Sequence, residues 1–149
     1  EPEVALVTVG DVLLTPTRIY ALDVLRARSA VRAAGLDIHG IAHVTGGGLA
    51  GNLPRAVGDG LGLRIDPERW PVPSVVRLVA ALAGIDGPET RATFNGGIGM
   101  ALVVPVAAVA PVLEALPDGI VIGEVVTSAA LDGARYAEAA LQTLPPVRP

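Results

Sequence analysis

The chain has 149 residues, with 11 cationic side chains against 15 carboxylates, and 51% hydrophobic but only 3% aromatic residues, the size and make-up of a single folded domain. All eleven cations are arginine, which excludes a lysine Schiff base and the lysine of a phosphate-binding P-loop; the formal charge of −4 argues against a nucleic-acid binder. With no cysteine there is no thiol nucleophile, disulfide or Cys-ligated metal.

Residues 1–12 read as a lead-in, 13–143 as one domain and 144–149 as a frayed tail, because Leu144-Pro145-Pro146 cannot continue a helix. The chain starts at Glu1 rather than Met, which suggests processing or excision from something longer, and its acidic start lacks the basic region of a signal peptide. Thr15 followed by Pro16, with Gly35 beyond, predicts a helix over Pro16–Ala34 that buries Ile19, Leu22, Leu25 and Val31. On that helix Arg26, Arg28 and Arg32 fan round the axis as a solvated face.

Strands are expected over Ile38–Val44, Leu61–Ile65, Ile98–Val104 and Ile120–Val126, helical stretches over Leu49–Val57, Pro73–Ala83 and Val106–Leu116, and a turn at Glu89–Thr93. This alternation with short links predicts an α/β (α+β) fold, a mixed β-sheet layered with helices. The uncharged run Ala92–Leu113 is formally long enough to cross a bilayer, yet its glycines, Asn95, Pro105 and Pro111 divide it into a strand and a short helix, so no membrane span is expected.

Three consecutive glycines, Gly46, Gly47 and Gly48, follow His43-Val44-Thr45 at the end of a predicted strand. Such a stretch costs conformational entropy and implies a backbone that must go without Cβ atoms. Two readings stand: N–H groups that meet a phosphate ahead of a helix, or a tight strand-to-helix turn with no ligand. Gly46, Gly48 and Gly51 also match a dinucleotide-binding spacing, but Pro54 and Gly58 cut the following helix short and Asp66 and Glu68 come early for a ribose-binding acid.

The two histidines, His39 and His43, stand roughly 13 Å apart on a strand, too far to share one metal ion. His43 abuts the glycine turn and can face a phosphate or move a proton there, the alternative being a histidine satisfied in the core; His39 is expected to be exposed. A second glycine cluster, Thr93 to Met100, carries Asn95 and can approach the same ligand, or can simply let the sheet pack closely. None of the three serines lies in a nucleophile-elbow context, and Trp70, followed by Pro71 and Pro73, reads as a seal on a core edge or an interface rather than a stacking platform.

Four ordered strings carry a family resemblance: HVTGGGLAGNLPR from His43 to Arg55, DPERWPVP from Asp66 to Pro73, TFNGGIGM from Thr93 to Met100, and VIGEV from Val121 to Val125, with LTPTRIY from Leu14 to Tyr20 ahead of them. Together they resemble the C-terminal half of aminoimidazole ribonucleotide synthetase, or phosphoribosylformylglycinamidine cyclo-ligase. Gly96 departs from the pattern, standing where the family usually has methionine.

The resemblance implies an ATP-dependent closure of formylglycinamidine ribonucleotide to aminoimidazole ribonucleotide in purine biosynthesis, with ADP and phosphate released. It implies His43 as the group that hydrogen-bonds or transfers a proton at the reacting atom, and Thr45, Gly46, Gly47, Gly48 and Asn95 as substrate- and phosphate-binding residues. It further implies that ATP and Mg2+ are bound mainly by an N-terminal half not contained in this sequence, that the chain alone is inactive, and that the complete enzyme is a cytoplasmic homodimer; charge and the broken apolar run already argue against nucleic acid and membrane as partners. Selenophosphate synthetase, thiamine monophosphate kinase and a hydrogenase maturation protein share the domain plan, and a non-catalytic ligand-binding domain is the reading from another class.

Overall fold

The computed structural model describes residues 8–141, so the proposed tail and most of the lead-in lie outside the described residues. Helix α1 (Val9–Leu13) opens with a reciprocal cap in which Asp11 N–H donates to Thr8 Oγ1 and Thr8 N–H donates to the Asp11 carboxylate at 2.9 Å. It buries none of its residues.

Helix α2 runs Ala21–Ala33, five residues shorter at its start than Thr15-Pro16 suggests. Residues 15–20 lie outside any helix, and the ring of Tyr20 occupies the space where a side chain on Gly99 would stand. That tertiary contact overrides a good local start signal, whereas the stop signal holds: Gly35, at φ +71°, donates to Arg32 O while Leu36 N–H reaches back to Val31 O at 3.1 Å.

The expected buried stripe of α2 is largely not buried. Ala27 and Val31 are fully enclosed where α2 packs on helix α6 (Val109–Ala115), but Ile19, Leu22 and Leu25 are exposed. Arg26 pairs with Asp23, and Arg32 with Asp37, on the solvent side, as a fanned set of arginines should.

Strands β1 (Gly40–His43) and β3 (Met100–Val103) form an antiparallel pair in which His43 faces Met100 across the ladder. Side chains alternate along β1, so Ala42 and then Val44 enter the core while Ile41 and His43 face out. A one-residue slip would bury the imidazole. The mixed sheet is a separate three-stranded one: β2 (Leu61–Ile65) lies at its centre, antiparallel to β4 (Gly123–Thr127) and parallel to β5 (Tyr136–Glu138).

One apolar cluster joins the two sheets, made of Ala42, Val44, Leu49, Leu53, Leu63, Ile65 and Trp70. Helix α3 (Gly48–Asn52) and the 3-10 turn Leu53–Ala56 supply Leu49 and Leu53, and Pro54 at the turn's start explains why the expected single helix breaks in two. Truncating either leucine to alanine should cost about 2–5 kcal/mol. Helices α4 (Ser74–Ala83) and α5 (Gly87–Thr93) complete the layer, with α5 capped by Asp86 and packed on α3. Among the described residues no helix is long and apolar enough to cross a membrane.

Candidate functional site

The register of β1 places His43 on the open side of the first sheet, at the wall of a groove of about 720 Å³ that also borders Tyr20, Leu25, Ile41 and Met100. His43 is therefore not a satisfied core histidine. His39, four residues earlier, is exposed as well.

Immediately after β1 the chain turns through Thr45 to Gly48 into α3. Gly47 and Gly48 both have left-handed backbones, φ +88° and +59°. For Gly48 the fold gives a second reason: a Cβ there would strike the carbonyl group of Arg91. For Gly46 it gives none, since a Cβ there meets nothing within 4 Å and its φ is not positive. The tight-turn requirement thus accounts for two of the three glycines.

The turn's hydrogen bonds leave some groups engaged and others open. Gly48 N–H donates to Thr45 O at 3.2 Å and Gly51 N–H to Gly47 O at 2.9 Å, while the N–H groups of Gly46 and Gly47 donate to nothing among the described residues. The buried Asn52 side chain lies beneath, its Nδ2 donating to Gly48 O at 2.7 Å and Gly46 O at 3.2 Å. Sequence reasoning passed over Asn52. Its signal was a short amide between Leu49 and Leu53, on the apolar face of a helical stretch where only a satisfied polar group is tolerated.

The second glycine turn does abut the first: Val44 N–H donates to Gly99 O at 2.9 Å, and Phe94 O lies against Gly48. Asn95, however, is used locally. Its Oδ1 accepts from Gly97 N–H at 3.0 Å, and it lines a different depression, about 250 Å³, with Glu68, Trp70, Arg77 and Arg91. His43 and Asn95 thus border separate cavities. Gly96 at φ +63° occupies a conformation that disfavours any side chain, so the departure from methionine at that position fits its backbone.

Supporting groups hold the turns from outside. Trp70 is buried and its Nε1 donates to Gly96 O, in keeping with a seal rather than a stacking platform. Asp66, buried, accepts from Glu68 N–H and Leu141 N–H, so it is a capping group and not a ribose-binding acid. Arg91 pairs through Nε with Glu138 at 2.8 Å, and the Tyr136 hydroxyl donates to the same carboxylate. Burial, then the negative charge and hydrogen bond of Glu138, push the Tyr136 phenol well above its usual range, with Arg91 opposing. Among the described residues no group of three or more His, Asp or Glu side chains converges as a metal ligand set would.

A small α/β domain with two abutting glycine turns and an exposed histidine at their edge is the class of structure defined here. The chain belongs to the family described as AIR synthase related protein, C-terminal domain, whose pattern it matches over residues 1–133. It is 44% identical over 125 residues to the phosphoribosylformylglycinamidine cyclo-ligase of Sorangium cellulosum, covering 80% of this chain and 35% of that protein. With the enzymes of the same name from a Synechococcus and a Cyanothece species it shares 41% over 119 residues and 44% over 98, which cover 80% and 66% of this chain. The matched stretches amount to 32% and 26% of those two proteins, so this chain spans about a third or less of these relatives.

Proposed function

We propose that the chain is the substrate-side part of an ATP-dependent cyclo-ligase that closes formylglycinamidine ribonucleotide to aminoimidazole ribonucleotide, with ADP and phosphate released, in the cytoplasmic route to purines. The observation that carries this reading is the glycine turn: the Gly46 and Gly47 N–H groups are unengaged among the described residues, and Gly46 has no packing reason to be glycine. A phosphate fits such a backbone, because bare N–H donors satisfy an anion without bringing in a cation.

In this reading ATP supplies the phosphoryl group that turns the formyl oxygen into a leaving group. The work of this chain is positioning and charge stabilisation. The amides of Gly46 and Gly47 and the Thr45 hydroxyl hold substrate phosphate, with Gly48 shaping the turn. His43, three residues before Gly46 and open to solvent, takes or donates the proton at the reacting nitrogen or oxygen. Asn95 is the further substrate-binding residue of this reading, and it reaches the substrate from the second cavity while its side chain orders its own loop. ATP, Mg2+ and the homodimer contact belong, in this proposal, to the longer part present in the relatives.

The test is aminoimidazole ribonucleotide formation from formylglycinamidine ribonucleotide and Mg-ATP, with this chain alone and with the product of its complete gene. Turnover by the complete product alone supports the reading. No turnover by either overturns it in favour of another ATP-dependent member of the superfamily or a non-catalytic relative.

A further inference from the structure

Peptide planarity fixes where the open donors of the glycine turn point. In a trans peptide the C=O of one residue and the N–H of the next are antiparallel. The Gly46 carbonyl is held toward the interior by Asn52 Nδ2 at 3.2 Å, so the Gly47 N–H in the same peptide is aimed the opposite way. Likewise Thr45 O accepts from Gly48 N–H, so the Gly46 N–H is turned away from α3. Gly46 and Gly47 are both exposed, whereas Asn52 is only 5% exposed.

A glycine peptide has little steric resistance to flipping, and the Gly46–Gly47 peptide in particular has no side chain on either residue to hold it. What holds it is a single buried amide that uses its two hydrogens on two carbonyls, Gly46 and Gly48, and accepts from Arg55 at 3.5 Å. We propose that Asn52 is a positioning residue: its side-chain amide locks the Gly46–Gly47 peptide so that the Gly47 N–H faces outward, ready for the phosphate of a ribonucleotide. Ligand contact is then made by backbone alone, and the side chain that decides its direction never touches the ligand. This rests on the phosphate role proposed above for the turn, and adds the group that sets its geometry.

Two measurements test it. In the unsubstituted complete gene product, both Asn52 Nδ2 protons should exchange slowly with solvent, while the Gly47 amide exchanges fast and slows when formylglycinamidine ribonucleotide is added. A fast-exchanging Asn52 side chain overturns the proposal without any variant. In the complete gene product, Asn52→Asp keeps the size and removes both donors, and Asn52→Ser retains one. Each should raise KM for formylglycinamidine ribonucleotide about tenfold or more, Asp above Ser, with KM for ATP unchanged. A merely structural role would lower the melting temperature and shift both KM values together or neither, and that result overturns the proposal. If Asn52→Asp does not fold, the Ser variant carries the comparison. Slow Asn52 exchange in a protein whose Gly47 amide ignores the ribonucleotide would instead sink the phosphate role while leaving the lock itself in place.

Discussion

The indole Nε1 of Trp70 donates to the backbone carbonyl of Gly96 at 3.1 Å, a bond between residues 26 apart in sequence that ties the second glycine turn to the core. Trp70→Phe keeps most of the ring's burial but strands the Gly96 carbonyl in a buried position. The expected loss is about 2 kcal/mol in chemical denaturation followed by circular dichroism. A variant as stable as the parent would show that water or a shifted loop replaces the bond.

Gly46 and Gly48 should separate cleanly on substitution. Gly48→Ala forces a Cβ into the Arg91 carbonyl at a left-handed φ, and should cost about 3 kcal/mol or more. Gly46→Ala has open space and an ordinary φ, so its stability should stay within about 0.5 kcal/mol of the parent. If the turn holds phosphate, Gly46→Ala nevertheless raises KM for the ribonucleotide, as does Gly47→Val, where a β-branched side chain must adopt φ +88°. Titration calorimetry that shows unchanged affinity for both variants would refute the phosphate role.

His43 contributes nothing to the core, so His43→Ala should leave the thermal midpoint close to the parent's. In the complete gene product the same change should lower turnover by about 10²–10⁴, the range for loss of a positioned acid or base. Unchanged turnover would move proton transfer to another group.

Tyr136 predicts an alkaline signature. Its folded pKa lies above the unfolded value of about 10, so its contribution to stability is complete below pH 10 and is lost as pH rises from there toward the folded value. The melting temperature should therefore fall above pH 10 more steeply in the parent than in Tyr136→Phe. Parallel curves would mean that in solution the phenol is neither buried nor held beside Glu138.

Sequence periodicity located β2 to the residue, because Leu61–Ile65 is bounded by turn residues on both sides and its core positions are aliphatic. It did not find β5: three residues, Tyr136–Glu138, carry no readable alternation and become a strand only because β2 offers them hydrogen-bonding groups. Pro16 misled for a related reason, since a favourable first-turn residue cannot outweigh the packing of Tyr20 on Gly99. At the site, the glycine turn and His43 were legible as unusual composition beside a strand. The direction in which each peptide faces was not, because it depends on Asn52 reaching back six and four residues to two carbonyls. The exposure of His43 likewise comes from the register of β1 with β3, and the place of Asn95 from its own turn, where its Oδ1 accepts from Gly97 N–H.

The parallel partner of β2 has a practical implication for anyone who would excise this domain. The family match stops at residue 133, yet β5 begins at Tyr136 and pairs with Leu63, Arg64 and Ile65 on one side of the central strand. A piece trimmed at the matched boundary would leave the backbone of Leu63, Arg64 and Ile65 as a raw edge, flanked by aliphatic side chains and open to pairing with a neighbour. Such a piece should cluster at concentrations where the longer chain stays dispersed, with loss of solubility preceding any loss of helix content.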